Sequence, residues 1–284
     1  MNFAAWARRL LPQSLANLIR RVREQSSLKR LNGIEWPEKH LKPIDGAAVK
    51  VALDDGSAEA AWNEFSRKLD SLNIVTHAGG VNPGDRRAIF HLIYSLRPDK
   101  VLEIGTHIGA STVCIAGALK ALQNSDPGFT GSLITVDVGN VNDEVEKPWL
   151  RYGARSSPAE LLAEMNVREL VEFIQSDSLE YLAKGDEFFD FIFLDGDHQA
   201  KTVYREIPLV IKSLNQDGHI LLHDYYPGGR ALWRDGRVLP GPYLALKRHI
   251  EEGRSIDVRP LGVLPWPTKG DSTTTSLAML SGTK

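Results

Sequence analysis

From about residue 82 onward the chain alternates short apolar runs with segments of helical period, and this pattern restricts the fold more than any other feature. The apolar runs are KVLEIG (100–105), SLITVDVG (132–139), VEFIQS (171–176), FDFIFLD (189–195) and HILLHD (219–224). Helical patterns lie between them at 110–123, 158–165, 178–184 and 201–214. Another precedes the first run at 83–96, entered through Pro83-Gly84-Asp85. Such alternation predicts a parallel sheet with helices on both faces. The runs are continuously apolar, as strands buried on both sides are. After a helix at 242–252, strand-like segments at 256–263 and 275–280 follow with no helix between them, which predicts an antiparallel hairpin at one edge. The expected α/β fold is therefore a doubly wound, mostly parallel seven-stranded sheet with an edge hairpin and a helical N-terminal extension.

Composition adds bounds. With 284 residues and 42% hydrophobic content, the chain can build one large domain, or one domain with an appendage. A net charge of −2 speaks against disorder and against general nucleic-acid binding. The single cysteine, Cys114, leaves no disulfide framework or cysteine-rich metal site and suits a reducing, cytoplasmic setting. No apolar run approaches the ~20 residues of a membrane span. Residues 1–31 differ, with seven Lys/Arg against one Glu. Between the charges lie Phe3, Trp6, Leu10, Leu11, Leu15, Leu18, Ile19 and Val22, a helical rhythm broken by Pro12. Two readings fit: a helix lying on an anionic membrane surface, or one packing on its own domain or a second subunit. The stretch is too short and too interrupted by arginines for a signal peptide. Residues 32–80 read as a connector with a helical stretch near 57–72. The expected division is a helical extension over 1–78 and the main domain over 79–284.

Ligands of doubly wound sheets bind outside the carboxyl ends of the strands. At the first such end, VLEIGTHIGAS (101–111) carries Gly105 and Gly109, which permit a sharp turn and close approach of a ligand. A dinucleotide fold would show G-x-G-x-x-G, but the middle position is His107, and Glu103 suits a cationic ligand better than a diphosphate. Asp137 ends the second strand, where a ribose is commonly gripped.

This segment resembles the first motif of class I S-adenosylmethionine-dependent methyltransferases, in the E-x-G-x-x-x-G form of the catechol and caffeoyl-CoA O-methyltransferases. The resemblance covers roughly residues 79–225 and implies a Rossmann-like domain that binds S-adenosylmethionine. It implies that Glu103, Gly105, His107, Gly109 and Ser111 line the amino-acid part of the cofactor. It further assigns Asp137 to the ribose, Ser176 and Asp177 to the adenine, and Val81 to a further contact.

Asp195 and Asp224 end the fourth and fifth strands, which are neighbours in such a sheet. Strands ~4.8 Å apart can aim both carboxylates at one point, where a divalent cation would offset their desolvation. The resemblance supports a metal, Mg²⁺ or Mn²⁺, because related O-methyltransferases, including enzymes acting on antibiotic sugars, carry acids at these positions. The sequence departs from them in having His223 before Asp224, so His223 is either a third ligand to a softer metal or no ligand at all. His198 is the first candidate for general base and Asp197 the second.

The expected activity is methylation of a hydroxyl on a small molecule or sugar. Trp149, Arg151 and Tyr152 in the 140–157 insertion, with Arg230, Trp233, Arg234 and Arg237 in the 225–237 loop, are candidate acceptor walls or a homo-oligomer interface. Two rivals stand beside this reading: an NAD-dependent oxidoreductase and a non-catalytic cofactor-binding protein. An RNA methyltransferase is disfavoured by the neutral core and by the lack of an Asn-Pro-Pro-Tyr-type motif, so no nucleic-acid partner is expected.

Overall fold

A computed structural model describes residues 12–72, 74–75 and 80–283. Seven strands form one sheet: β1 (Lys100–Ile104), β2 (Ser132–Asp137), β3 (Val171–Gln175), β4 (Phe189–Leu194), β5 (Leu214–Leu222), β6 (Ile256–Pro260) and β7 (Ala278–Gly282). Their order is β3-β2-β1-β4-β5-β7-β6. The first five are parallel, while β7 runs antiparallel to both β5 and β6. The expected hairpin is thus present, with its second strand inserted between β5 and the first. Strand β5 begins at Leu214, five residues before the apolar run, because a register irregularity at Phe189/Phe191 lets β4 pair with both segments.

Side-chain alternation explains how one strand feeds two cores. Val101, Phe191 and Phe193 enter the core beneath α4 (Pro83–Leu96) and α5 (Thr112–Ser125). Leu102, Ile104, Ile192 and Leu194 enter the opposite core under α8 (Ala200–Lys212) and α9 (Gly241–Glu251). The helices begin where side chains satisfy free amides. Asn82 Oδ1 accepts from Asp85 N at 3.0 Å, with Pro83 in the first turn of α4. Ser157 and Glu160 form a reciprocal capping box on α6 (Pro158–Glu164). Asp177 caps α7 (Ser178–Lys184).

The expected connector holds two helices, α2 (Gly46–Leu53) and α3 (Gly56–Ser71), started by Asp45 and Asp55. They deliver Leu53, Trp62 and Leu69 to the same core as α4 and α5. The expected boundary at 78–79 lies outside the described residues, as do Phe3, Trp6, Leu10 and Leu11 of the N-terminal stretch. Helix α1 (Gln13–Lys29) packs across α8 and α9. Glu24 accepts the amide of Ala200 at 2.7 Å, and Arg248 Nη2 donates to Leu31 O at 3.1 Å. No helix among the described residues is long and apolar enough to cross a membrane.

Candidate active site

The sheet reverses direction of winding between β1, whose helix lies on one face, and β4, whose helix lies on the other. The crevice at this switch point opens into a hollow of ≈ 730 Å³. Gly105 makes it possible. Its φ is +103°, and a Cβ there would stand 2.3 Å from the carbonyl oxygen of Asp195. Only glycine lets the turn after β1 pass the end of β4 so closely.

Five of the cofactor candidates line this hollow: Gly105, His107, Asp137, Ser176 and Asp177. His107 holds a left-handed backbone (φ 49°), fixed by its amide donating to Asp137 Oδ2 at 2.9 Å. Its ring lies 4.1 Å from that of Tyr152, and its Nδ1 is buried with no partner among the described residues. Burial lowers the pKa of this imidazole, with Asp137 and Asp195 opposing that shift. An orphaned nitrogen at the wall of a hollow fits a site that a polar ligand completes. Asp177 is engaged as the cap of α7, accepting from Leu179 N at 2.9 Å.

Four candidates do not line it. Glu103 is fully buried, and its oxygens accept from Ser111 Oγ (2.5 Å), Thr112 Oγ1 (2.6 Å) and Thr135 Oγ1 (2.7 Å). Strand alternation puts it on the face of Val101, toward α5, so it ties helix to sheet. Burial pushes its pKa to about 7 against the pull of the three hydroxyls. Ser111 is spent on Glu103 and is itself buried. Gly109 packs against Pro158, at 3.0 Å from a built Cβ. Val81 belongs to the α4–α5 core, and its carbonyl accepts from Arg86 Nε at 2.7 Å.

The acids at the tips of β4 and β5 do converge. One donor atom each from Asp195, His198 and Asp224 lie within 4.8 Å of one another, all three residues half-buried. His198 Nε2 is 3.4 Å from Asp224 Oδ2. His198 is held in place where Gly241, at the start of α9, packs on its carbonyl; a Cβ at 241 would clash at 1.8 Å. Asp224 has φ 53°, a conformation that costs a non-glycine residue energy and that recurs at functional sites.

His223 is held elsewhere. Its Nδ1 lies 3.0 Å from Asp195 Oδ1 and its Nε2 lies 3.2 Å from Asp85 Oδ2, so both ring nitrogens are committed. Its Nδ1 also lies 3.8 Å from Asp224 Oδ1, so the ring stands beside the cluster formed by Asp195, His198 and Asp224. Burial alone would lower its pKa, but Asp195, Asp224 and the hydrogen bonds to Asp195 and Asp85 raise it well above the usual imidazole value. Asp85 escapes a reading of the sequence, where it is one more acid in the first turn of a helix. It is wholly buried, and Thr275 Oγ1 donates to its Oδ1 at 2.5 Å. Asp197 also lines the hollow, its carboxylate accepting from Gln199 N at 3.0 Å and Thr202 Oγ1 at 2.7 Å just ahead of and within α8.

Of the candidate acceptor walls, Trp149 is buried, and Arg151 is exposed beside Glu146. Tyr152 stays accessible over His107. Trp233 donates to Thr274 O at 3.2 Å, while Arg230, Arg234 and Arg237 are exposed.

A sheet of this order with a hollow at the β1/β4 switch point defines the class I methyltransferase fold. Residues 102–225 match the family described as "Methyltransferase domain", which supports S-adenosylmethionine-dependent methyl transfer. The match favours methyl transfer over the nicotinamide oxidoreductase and the non-catalytic reading. Comparison with curated proteins finds no match. Among solved structures, an O-methyltransferase from Bacillus cereus bound to SAH is similar at 18% identity and TM-score 0.52, over 80% of this chain and 91% of that one. Cofactor-bound Rv0187 from MTB is similar at 19% identity and TM-score 0.52, over 78% and 89%. SAH-bound methyltransferase PaMTH1 from Podospora anserina is similar at 14% identity and TM-score 0.51, over 97% and 99%.

Proposed function

We propose that the chain is an S-adenosylmethionine-dependent methyltransferase that acts on a hydroxyl oxygen of a small molecule or sugar, with a divalent cation held by Asp195, Asp224 and His198. The observation that carries the proposal is the convergence of those three donors at the end of β4 and β5, beside the Gly105 hollow. Two carboxylates and one imidazole suit Mn²⁺ better than Mg²⁺, with open positions left for the acceptor. Such a cation, when bound, lowers the pKa of a hydroxyl and orients it. S-adenosylmethionine supplies a methyl group already activated on a sulfonium.

The chain's own contribution is placement. Gly105 leaves room at the end of β1, His107 and Asp137 form one wall of the hollow, and Tyr152 covers His107. Aligning acceptor oxygen, methyl carbon and leaving sulfur accounts for most of the remaining barrier. His223, pinned by Asp85 and Asp195, fixes the carboxylate of Asp195. A second reading is favoured by one distance. With His198 Nε2 3.4 Å from Asp224, the imidazole can take the hydroxyl proton itself while Asp224 orients the ring, with no metal involved.

Methyl-transfer assays on catechols and on sugar diols, each with Mg²⁺, with Mn²⁺ or with EDTA, separate the two. Loss of turnover in EDTA and its return with Mn²⁺ support the cation. Full turnover in EDTA, abolished by His198→Ala, supports the dyad. Turnover unaffected by either treatment contradicts both.

A further inference from the structure

Helix α1 turns its polar side inward. Asn17 Nδ2 donates to Gly236 O at 2.7 Å and Glu24 accepts from Ala200 N, with buried Leu28 the apolar exception near the C-terminal end. Outward it presents Leu15, Leu18, Ile19 and Val22, which are 41, 56, 51 and 56% exposed. Their spacing of i, i+3, i+4 and i+7 makes one continuous stripe. A helix that only packed on its own domain would show the opposite distribution. At roughly 100° per residue, exposed Arg21 and Arg23 flank the stripe, and Lys29 and Arg30 continue it past its C-terminal end. Glu24, the one acid of the helix, faces α8.

We propose that this face docks on an anionic lipid surface, the stripe entering the headgroup region and the basic side chains meeting lipid phosphates. A second copy of the chain is the competing occupant. A two-fold contact would set the patch against itself, with Arg21, Arg23, Lys29 and Arg30 opposing their equivalents and no acid on the face to offset them. Anionic lipid supplies the missing charge. The sequence ahead of the helix has the same character, with Phe3, Trp6, Arg8, Arg9, Leu10 and Leu11.

Co-sedimentation of the full chain with vesicles tests this, using phosphatidylcholine alone and phosphatidylcholine mixed with phosphatidylglycerol. The wild type is expected to sediment with the mixed vesicles and not with the neutral ones. The double variant Leu18→Glu/Ile19→Glu is expected to partition at least about ten-fold less. Arg23→Glu is expected to partition at least about five-fold less, and added salt to weaken the wild type. All three side chains are exposed, so unchanged circular dichroism melting separates lost docking from lost folding. Absence of wild-type binding to mixed vesicles, or equal binding to both compositions, overturns the proposal. So does a wild-type dimer in light scattering that Leu18→Glu converts to monomer.

Discussion

The imidazole of His223 stands 3.0 Å from the carboxylate of Asp195, with the buried carboxylate of Asp85 on its other side. Removing the ring leaves two acids facing each other with little solvent. Breaking a buried charge pair in this way costs about 3–5 kcal/mol. His223→Ala is therefore expected to lower the melting temperature by about 6 °C or more in a chain of this size, measured by thermal denaturation at neutral pH. A variant that melts with the wild type would show that Asp85 and Asp195 do not depend on His223.

Asp224 offers a separation of stability from function. Its left-handed backbone (φ 53°) is strained for aspartate and relaxed for glycine. Asp224→Gly is expected to melt at or above the wild-type temperature while methyl transfer falls at least about 100-fold, because positioning at the β5 tip is lost. Paired melting curves and initial rates check this. Equal rates would remove Asp224 from the site.

Gly105→Ala tests the close approach of β1 to β4. The added methyl meets the Asp195 carbonyl at 2.3 Å in a backbone region that alanine rarely adopts. A loss of at least about 2 kcal/mol is expected, with weakened affinity for S-adenosylhomocysteine. Gly153, also at positive φ (+80°) but in open space, is the control, and Gly153→Ala is expected to retain that affinity.

Buried acids set a pH dependence. Glu206 on α8 accepts from Ser178 Oγ at 2.5 Å, and burial raises its pKa from 4.5 to about 7, with Asp197 and Asp177 adding to the rise. The native state then holds a proton that the unfolded state releases between about pH 4.5 and 7. Stability is full below that window and is lost as pH rises through it, by about 3 kcal/mol for this group. Glu103 shifts in the same direction for the same reason. Glu206→Gln is expected to flatten the fall in melting temperature between about pH 5 and about pH 8. An unchanged slope would show that Glu206 is ionised in the native protein.

The strands were legible because a sheet covered on both faces demands continuous apolar runs, and all five parallel strands announced themselves so. The meeting of Asp195 and Asp224 was legible for a topological reason: both end neighbouring strands. Asp85 was not, since 138 residues separate it from the histidine it holds. Glu103 was expected at the cofactor through its motif, while alternation along β1 sets it on the face of Val101, away from Ile104 at the hollow. Asp197, one residue before the first base candidate, lines the same hollow. Helix α3 matches the helical stretch expected near 57–72, whereas α2 hid in a stretch whose prolines and Asp54-Asp55-Gly56 read as linker, and their Leu53, Trp62 and Leu69 complete the α4–α5 core.

Titration calorimetry with Mn²⁺ on S-adenosylhomocysteine-saturated protein bears most directly on the central claim, that the tips of β4 and β5 hold a cation beside the methyl donor. The wild type is predicted to bind one Mn²⁺, and Asp195→Ala to bind at least about ten-fold more weakly while keeping its affinity for S-adenosylhomocysteine. No heat from Mn²⁺ in the wild type, or the same affinity in Asp195→Ala, would contradict it.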